Sequence, residues 1–528
     1  MTNVYSYRYT GCLTCRESRI KCDELRPSCL QCQKRKTRCA GYAQQLKWKD
    51  PQVSKTSPPP SGPCIKASHR DHHRTRSTEI SILAPSGLST RSTPLPGKGL
   101  AFQTQLDHRI FLHWAEVMPQ LVYPNPEKYH AIIQQYLHML LGDDSALLPA
   151  ILACTASHMA IAGLLPDVEF LERRQAALIR MMKTVSLHVN KTTRNKPSTE
   201  MDASIAASMM LTGMEVTQGS PCQSIIALLQ GVKHQWDWRR TGSFDHEADG
   251  IESAVRNGLL MSNIKMMAYF DIMCCVPCAR SPTLEQRAWD TYLSRPDQAD
   301  EPGFGEGPDV VFGYCERVLP LIGQSSSLVN RLFTKAISRQ TFLSSRKRLL
   351  HDLQRCCEKL PPMYDLIEYP EELSQTGANE SARNHNACIS AAFAHSLATQ
   401  IFLWRAYQND TDVPVNFEGV VDILGNFVRQ VPLETSSATM MLWPMLVMGC
   451  ESQSGTELRQ EISRRFQMMF SKQRLMNIQA AYDALEHQVW AAESATENPK
   501  GRFCWEMTGA ERSWVWHCWK EKIDLCLA

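Results

Sequence analysis

Six of the chain's 20 cysteines fall within the short stretch from Cys12 to Cys39. They run Cys12-x2-Cys15-x6-Cys22-x6-Cys29-x2-Cys32-x6-Cys39. Thiolates gathered this densely are metal ligands, because the alternative, a disulfide framework, belongs to secreted chains. Met1 to Thr10 is polar and holds no apolar core for a signal peptide, so a secretory route is not expected. The stretch is one unit written twice, CLTCRESRIKC and CLQCQKRKTRC, with Leu13 matching Leu30. The repeat predicts a pseudo-two-fold pair of short helices, each opening just after a CxxC. Zinc in a closed structural site takes four ligands. Three cysteines per unit leave each metal one short, and six thiolates serve two zinc ions only if two of them bridge. Coordination alone leaves the bridging pair open. A single zinc with two spare thiols, or a redox cluster, is the competing reading, and the duplicated spacing disfavours it. The absence of His from the window argues against Cys2His2 fingers.

Metal here is expected to supply folding energy rather than catalysis. The window offers only Leu13, Ile20, Leu25 and Leu30 for a core. With every ligand a protein thiolate, no open position remains for a water nucleophile. The same window is basic. Arg16, Arg19 and Lys21 lie on or near the first helix, and Lys34, Arg35, Lys36 and Arg38 are assigned to the second. Cations at this density release counterions from nucleic acid and so bind it without sequence preference. Specificity needs a side chain at a base edge, and bidentate Arg on guanine is the commonest device.

The segment resembles the fungal-type binuclear Zn2Cys6 cluster. The resemblance rests on the six cysteines, their spacing, CRxxRxKC from Cys15 to Cys22, and Pro27 in the connecting loop. It implies two zinc ions per chain and double-stranded DNA as partner. It further implies that Cys12 and Cys29 bridge the metals, with Cys15 and Cys22 completing one site and Cys32 and Cys39 the other. In that family the base readers sit three and four residues after the second cysteine, which here are Ser18 and Arg19. Ser18 departs from members that carry a second basic residue at its place. CGG-type triplets are the implied target, with Arg16, Lys21 and the second helix on phosphates.

The elements that must carry this module follow from charge and composition. Residues 1–50 carry a net charge of +7 and residues 51–100 a net of +5, within a chain of 528 residues whose total is +3. The rest is mildly acidic, as suits a chain that meets nucleic acid at one end. Residues 50–100 hold 8 Pro, 9 Ser and 4 Gly and read as a disordered linker. No heptad coiled coil is found between Gly41 and Leu100. From about Ala101 to Ala528 apolar residues recur at helical spacing in Ile132–Leu141, Phe170–Val185, Ile205–Val216 and Phe342–Leu360. Loops are expected at Asn190–Ser198, Ser294–Pro308, Pro361–Ala382 and Ala492–Lys500. The expected fold is therefore a small binuclear zinc-cluster module with two short helices (1–49), a disordered linker (50–100) and an all-α regulatory domain (101–528).

The body resembles the regulatory domain of many fungal Zn2Cys6 factors, on LLPAILACTASHMA from Leu147, WPMLVMGCES from Trp443 and AAYDALEHQVW ending at Trp490, and AGYAQQLKW follows the cluster. Leu147 to Pro166 is the one membrane-like stretch, and a buried helix is the preferred reading. A membrane is not an expected partner. Cys275-Val276-Pro277-Cys278, with Cys274, reads as buried thiols at a helix end in preference to a redox or metal half-site. The tract from His69 to Arg76, in which His69, His72 and His73 alternate with arginines, reads as a disordered basic stretch in preference to a metal-binding one. Lys34–Arg38 and Arg70–Arg76 are candidate nuclear import signals, and Tyr364–Leu373 is a candidate activation segment or an ordinary loop. No GxSxG, Walker A, HExxH or dinucleotide fingerprint occurs, and enzymatic activity is not expected. The preferred function is a nuclear, zinc-dependent transcription factor on RNA polymerase II promoters, with coactivators or a second copy as further candidate partners. A metabolite receptor gating DNA binding, and a protein-interaction module of the RING or LIM kind, are the alternatives.

Overall fold

The computed structural model divides the chain into two compact units, Met1–Ser92 and Thr93–Ala528. It describes residues 14–15, 18, 20–23, 29–37 and 39 of the first unit. In the second it describes 102–140, 146–190, 198–241, 258–285, 289, 307–364, 377–407, 417–433, 435–492 and 513–528. The segment 50–100, with His69, Arg70 and the basic tract around them, lies outside the described residues, as do Cys12, Arg16, Arg19 and Arg38.

The first unit holds one described helix, α1 (Leu30–Lys34). Its start is fixed by Cys29 as N-cap, whose sulfur accepts from Cys32 N at 3.3 Å. Its end is a left-handed cap. Lys36, at φ 51°, lets Thr37 N reach Cys32 O at 3.0 Å and Lys36 N reach Gln33 O at 3.0 Å. The helix is therefore shorter than the basic run: only Lys34 lies within it, while Arg35 and Lys36 form its cap.

The second unit is built from helices. Its first half comprises α2 (Gln105–Glu116), α3 (Met118–Val122), α4 (Pro126–Leu140), α5 (Leu147–Ile161), α6 (Asp167–Asn190), α7 (Ser198–Thr217), α8 (Cys222–Thr241) and α9 (Leu259–Cys275). The second half comprises α10 (Leu319–Phe333), α11 (Arg339–Glu358), α12 (Gly377–Ala406), α13 (Phe417–Gln430), α14 (Leu442–Glu451), α15 (Glu457–Gln473), α16 (Met476–Ala484) and α17 (Trp514–Lys520). Among the described residues no strand forms, only an isolated bridge between Asp309 and Gly313.

α5 is apolar on every face and packs against α2, α6 and α7, which is what an uncharged helix must do to leave water. α12 plays the same part for α10, α11, α13 and α14. One continuous apolar core joins both halves. A capping box starts α2, where Thr104 Oγ1 accepts from Asp107 N at 3.1 Å and Asp107 Oδ2 from Thr104 N at 3.2 Å. The same carboxylate takes Arg173 of α6 at 2.8 Å and so ties the two helices together.

Two expectations need correction. Leu147–Pro166 is not the only membrane-like stretch. Leu259–Cys278 and Glu380–Ala406 are long and apolar enough to cross a membrane, and 89% and 78% of their windows are buried within the protein. Single charges such as Lys265 and Asp271 hide them from a search for uncharged runs. The loop expected at Pro361–Ala382 ends early, because α12 begins at Gly377. Its Gly-Ala-Asn-Glu start has turn-like composition, yet it forms the helix's first turn. Tyr364 stacks on His385 at 4.1 Å and its backbone pairs twice with Asn386 at 2.8 Å. The remainder of the acidic-aromatic segment, 365–373, lies outside the described residues.

Candidate metal centre and nucleic-acid interface

The repeat seen in the cysteines is repeated in the backbone. Ser18 N donates to Thr14 O at 3.1 Å, and its counterpart Arg35 N donates to Gln31 O at 3.2 Å. Ile20 N donates to Cys15 O at 3.0 Å, and its counterpart Thr37 N to Cys32 O at 3.0 Å. In each unit a helical turn thus closes five residues after the second cysteine of the CxxC.

Those turns bring three buried thiols together. Cys15 Sγ lies 3.6 Å from Cys29 Sγ and 3.9 Å from Cys32 Sγ, and all three sulfurs fall within 4.8 Å of one another. A tetrahedral zinc with bonds of about 2.3 Å sets its sulfurs about 3.8 Å apart. The donor set and its spacing therefore fit zinc. Cys29, from the second unit, neighbours both Cys15 of the first and Cys32 of its own. Half-buried Cys22 and Cys39 pack against this trio together with Ile20. Five of the six cysteines singled out in the sequence are thus gathered, and the sixth, Cys12, lies outside the described residues.

Around the sulfurs the surface is cationic. Lys21, Lys34, Arg35 and Lys36 are exposed, as is Ser18, while Arg16, Arg19 and Arg38 are not described. Sequence reasoning missed one residue. Asp23 accepts from Leu30 N at 3.1 Å and Gln31 N at 2.9 Å, capping α1 from the preceding loop. The residue after Cys39, at the matching place in the repeat, is Ala40, which cannot do this. An acidic residue breaking the repeat inside a basic window was the available signal.

The cysteines of the body are a different population. Cys274, Cys275 and Cys278 are buried where α9 runs into a 3-10 turn, Val276–Cys278. Burial pushes the Cys278 thiol up to about 11, against the pull of Arg280. Burial likewise pushes Cys154 and Cys388 up to about 12. Such thiols stay protonated and inert, which suits the reading of Cys275–Cys278 as a helix end.

Comparison with known proteins agrees with this division. Residues 10–49 match the fungal Zn(2)-Cys(6) binuclear cluster domain, and residues 109–528 match the fungal specific transcription factor domain. White-opaque regulator 2 of Candida albicans is 61% identical over 33 residues, 6% of this chain and 7% of that protein. Arginine metabolism regulation protein II of Saccharomyces cerevisiae is 44% identical over 43 residues, 8% of this chain and 5% of that protein. The aspercryptin biosynthesis cluster-specific transcription regulator of Emericella nidulans is 50% identical over 55 residues, 10% of this chain and 9% of that protein. The matched stretches thus span less than a tenth of these relatives' own lengths. No solved structure matches the chain. The cysteine module is a domain that binds two zinc ions. With four-fifths of its length matched by the regulatory family and its cysteines by the cluster, the chain belongs to the fungal Zn(2)-Cys(6) transcription regulators, DNA-binding proteins built on a binuclear zinc cluster.

Proposed function

We propose that the chain is a nuclear transcription factor that reads CGG-type triplets at RNA polymerase II promoters and controls metabolic or secondary-metabolite genes. The sulfur trio, with exposed Lys21, Lys34, Arg35 and Lys36 in the same short segment, carries this reading. The names of two relatives, one for arginine metabolism and one for aspercryptin biosynthesis, support the class of target gene. The functional division is 1–49 for DNA binding, 50–100 as linker and 101–528 for regulation, through which coactivators would be engaged. Cys12 and Cys29 bridge the two zinc ions, Cys15 and Cys22 complete one site, and Cys32 and Cys39 the other. Arg19 reads guanine, Ser18 adds a weaker contact, and Arg16, Lys21, Lys34, Arg35, Lys36 and Arg38 hold phosphates.

The test is a titration of the zinc-loaded chain on CGG-containing and scrambled duplexes at several salt concentrations. Arg19→Ala should lose about 1–3 kcal/mol on the CGG duplex and much less on the scrambled one. Lys34→Ala should weaken both alike and lower the salt slope by about one unit. Equal losses on both duplexes for Arg19→Ala would make it a phosphate contact and remove the assignment.

A second reading, a metabolite receptor whose body gates DNA binding, is favoured by a cavity in the second unit. The space, about 110 Å³, is lined by Trp114, Tyr129, Met209, Tyr269 and Asn477 among others. The buried Tyr269 hydroxyl and Asn477 Oδ1 meet no hydrogen-bond partner among the described residues. Gly213, inside α7, also lines it, and a Cβ there would meet only Cys154 Sγ, at an ordinary 3.7 Å. Alanine would favour the helix by roughly 0.5–1 kcal/mol, so packing does not require the glycine. These features suit a small ring compound bearing a hydroxyl. Phenol should raise the melting temperature of the chain more than benzene does, and Gly213→Leu should abolish the difference. Equal responses to the two probes would dismiss this reading.

A further inference from the structure

α6 carries apolar residues on two faces. Phe170 and Ala177 are buried against the body, which accounts for one face. The other faces water. Val168, Leu171, Leu178, Ile179, Met182 and Val185 are six of the thirteen large hydrophobics exposed among the described residues, with Val168, Ile179 and Met182 each 57% exposed or more. An ordinary surface helix is polar on its outer face, and monomeric proteins seldom concentrate apolar surface this way.

The spacing is as informative as the exposure. Leu171, Leu178 and Val185 recur at seven-residue steps, and Val168, Gln175 and Met182 form a second line between them. Alternating steps of three and four residues make a heptad seam, whose side chains fit the gaps of a matching seam on another helix. Position 175 interrupts it with a glutamine. A single polar residue in a seam fixes register at some loss of stability, which is a feature of helix pairs rather than of a membrane-binding face.

We propose that α6 is a self-association seam, along which two copies of the chain pair antiparallel. A second copy is the natural occupant, since one heptad seam is complementary to another and a two-fold axis makes the contact the same patch on both sides. Charge selects the orientation. In a parallel pair, the flanking contact from each residue to the one five further along on the other helix sets Asp167 against Glu172, two acids. In an antiparallel pair Val168 faces Val185, Leu171 faces Met182 and Gln175 faces Leu178. That register brings exposed Glu172 beside exposed Lys183 of the second copy, twice by symmetry. The seam belongs to the regulatory body and does not rest on the DNA-reading assignment. Its consequence for that assignment is that each assembly carries two cluster modules.

From Val168 to Val185 the seam spans about 26 Å, some two and a half heptads, so association no tighter than the micromolar range is expected. Sedimentation velocity of the full zinc-loaded chain without DNA, from about 1 to 50 µM, should show mass rising from the 59.8 kDa monomer toward twice that value. The double variant Leu171→Glu/Leu178→Glu should stay monomeric throughout with an unchanged far-ultraviolet helical spectrum. Both leucines are exposed, so the fold has no need of them. Zero-length carbodiimide coupling of the dimer should join Glu172 to Lys183. Within one helix those residues lie about 16 Å apart, so the link can form only between copies. The charge-swapped variant Glu172→Lys/Lys183→Glu should still dimerise, whereas Lys183→Glu alone should weaken the dimer several-fold. A chain that remains monomeric at the highest concentration overturns the proposal. So does a dimer that survives the double leucine variant, and a dimer without the Glu172–Lys183 link overturns the antiparallel register.

Discussion

Cysteine does opposite work in the two units of this chain. In the first, Cys15, Cys29 and Cys32 lie at zinc-site spacing and stand in for a core that the window's few apolar residues cannot form. In the second, Cys154, Cys278 and Cys388 are small apolar residues whose thiols burial holds protonated. The difference is one of local supply. Where a continuous apolar core exists, a thiol is packed away. Where none exists, thiolates and metal provide the folding energy. The two units should therefore fail under different stresses.

The largest separation should come from zinc removal. A strong chelator should strip two zinc ions from the chain and abolish DNA binding, while the helical signal and melting of the body are retained. Native mass spectrometry alongside circular dichroism reads both at once. Cys29→Ala should lose both ions and Cys22→Ala should retain one more than Cys29→Ala does. Equal metal content in the two variants would remove the bridging role of Cys29, and collapse of the body on chelation would end the contrast between the units.

Acid should act on the body through its buried histidines. Burial holds His395 down to about 4, against the bond from its Nδ1 to Ala391 O at 2.9 Å. Burial, then His158, likewise holds His113 to about 4. A histidine whose folded value lies below the unfolded 6.5 is neutral in the fold, so the unfolded chain binds more protons between these values. Its contribution is complete above about pH 6.5 and fades as pH falls toward 4. For fully buried His395 the effect is on the order of 3 kcal/mol. The melting temperature of the body should fall over that window, and His395→Leu should flatten the fall. An unchanged slope in that variant would place the titrating groups elsewhere.

A smaller effect tests the module's own asymmetry. Asp23→Ala leaves Leu30 N and Gln31 N to water and should destabilise the module by about 1 kcal/mol, with weaker zinc retention against a competing chelator. Base discrimination should be untouched, because Asp23 caps the helix from its far side in sequence. A change in preference between CGG and scrambled duplexes would give Asp23 a place in the interface instead.

The metal centre was largely legible in the sequence because coordination chemistry fixes both residue type and spacing. The duplicated CxxC register even anticipates the paired backbone bonds from Ile20 to Cys15 and from Thr37 to Cys32. Helical periodicity was legible in α4, α6, α7 and α11 because apolar residues there recur at steps of three and four. Direction was not. The run Phe170–Val185 announces a helix, but periodicity cannot say that Phe170 and Ala177 point inward while Leu171 and Leu178 point to water, since both sets repeat at helical steps. Asp23 was missed because a cap is set by a loop's path rather than by a pattern. The repeat places Lys36 on the helix that follows the second CxxC, and the left-handed turn that ends α1 there is a backbone property that lysine does not advertise.

That turn supplies the finest test of how stability and function divide within the module. Lys36 sits at φ 51°, where glycine is the residue without a steric penalty. Its backbone serves the cap, with Thr37 N on Cys32 O and Lys36 N on Gln33 O, and neither bond needs a lysine side chain. A strained non-glycine residue is retained where its side chain does something else, and an exposed ammonium in a cationic module points to phosphate. Lys36→Gly should thus act in two directions. Zinc retention against a chelator should rise by about fivefold, equivalent to roughly 1 kcal/mol of relieved strain. The slope of DNA affinity against salt should fall by about 0.9, as one lost phosphate contact requires. A slope that stays unchanged while zinc retention rises would leave Lys36 a solvated surface charge, and the phosphate clamp would then rest on Lys34 and Arg35.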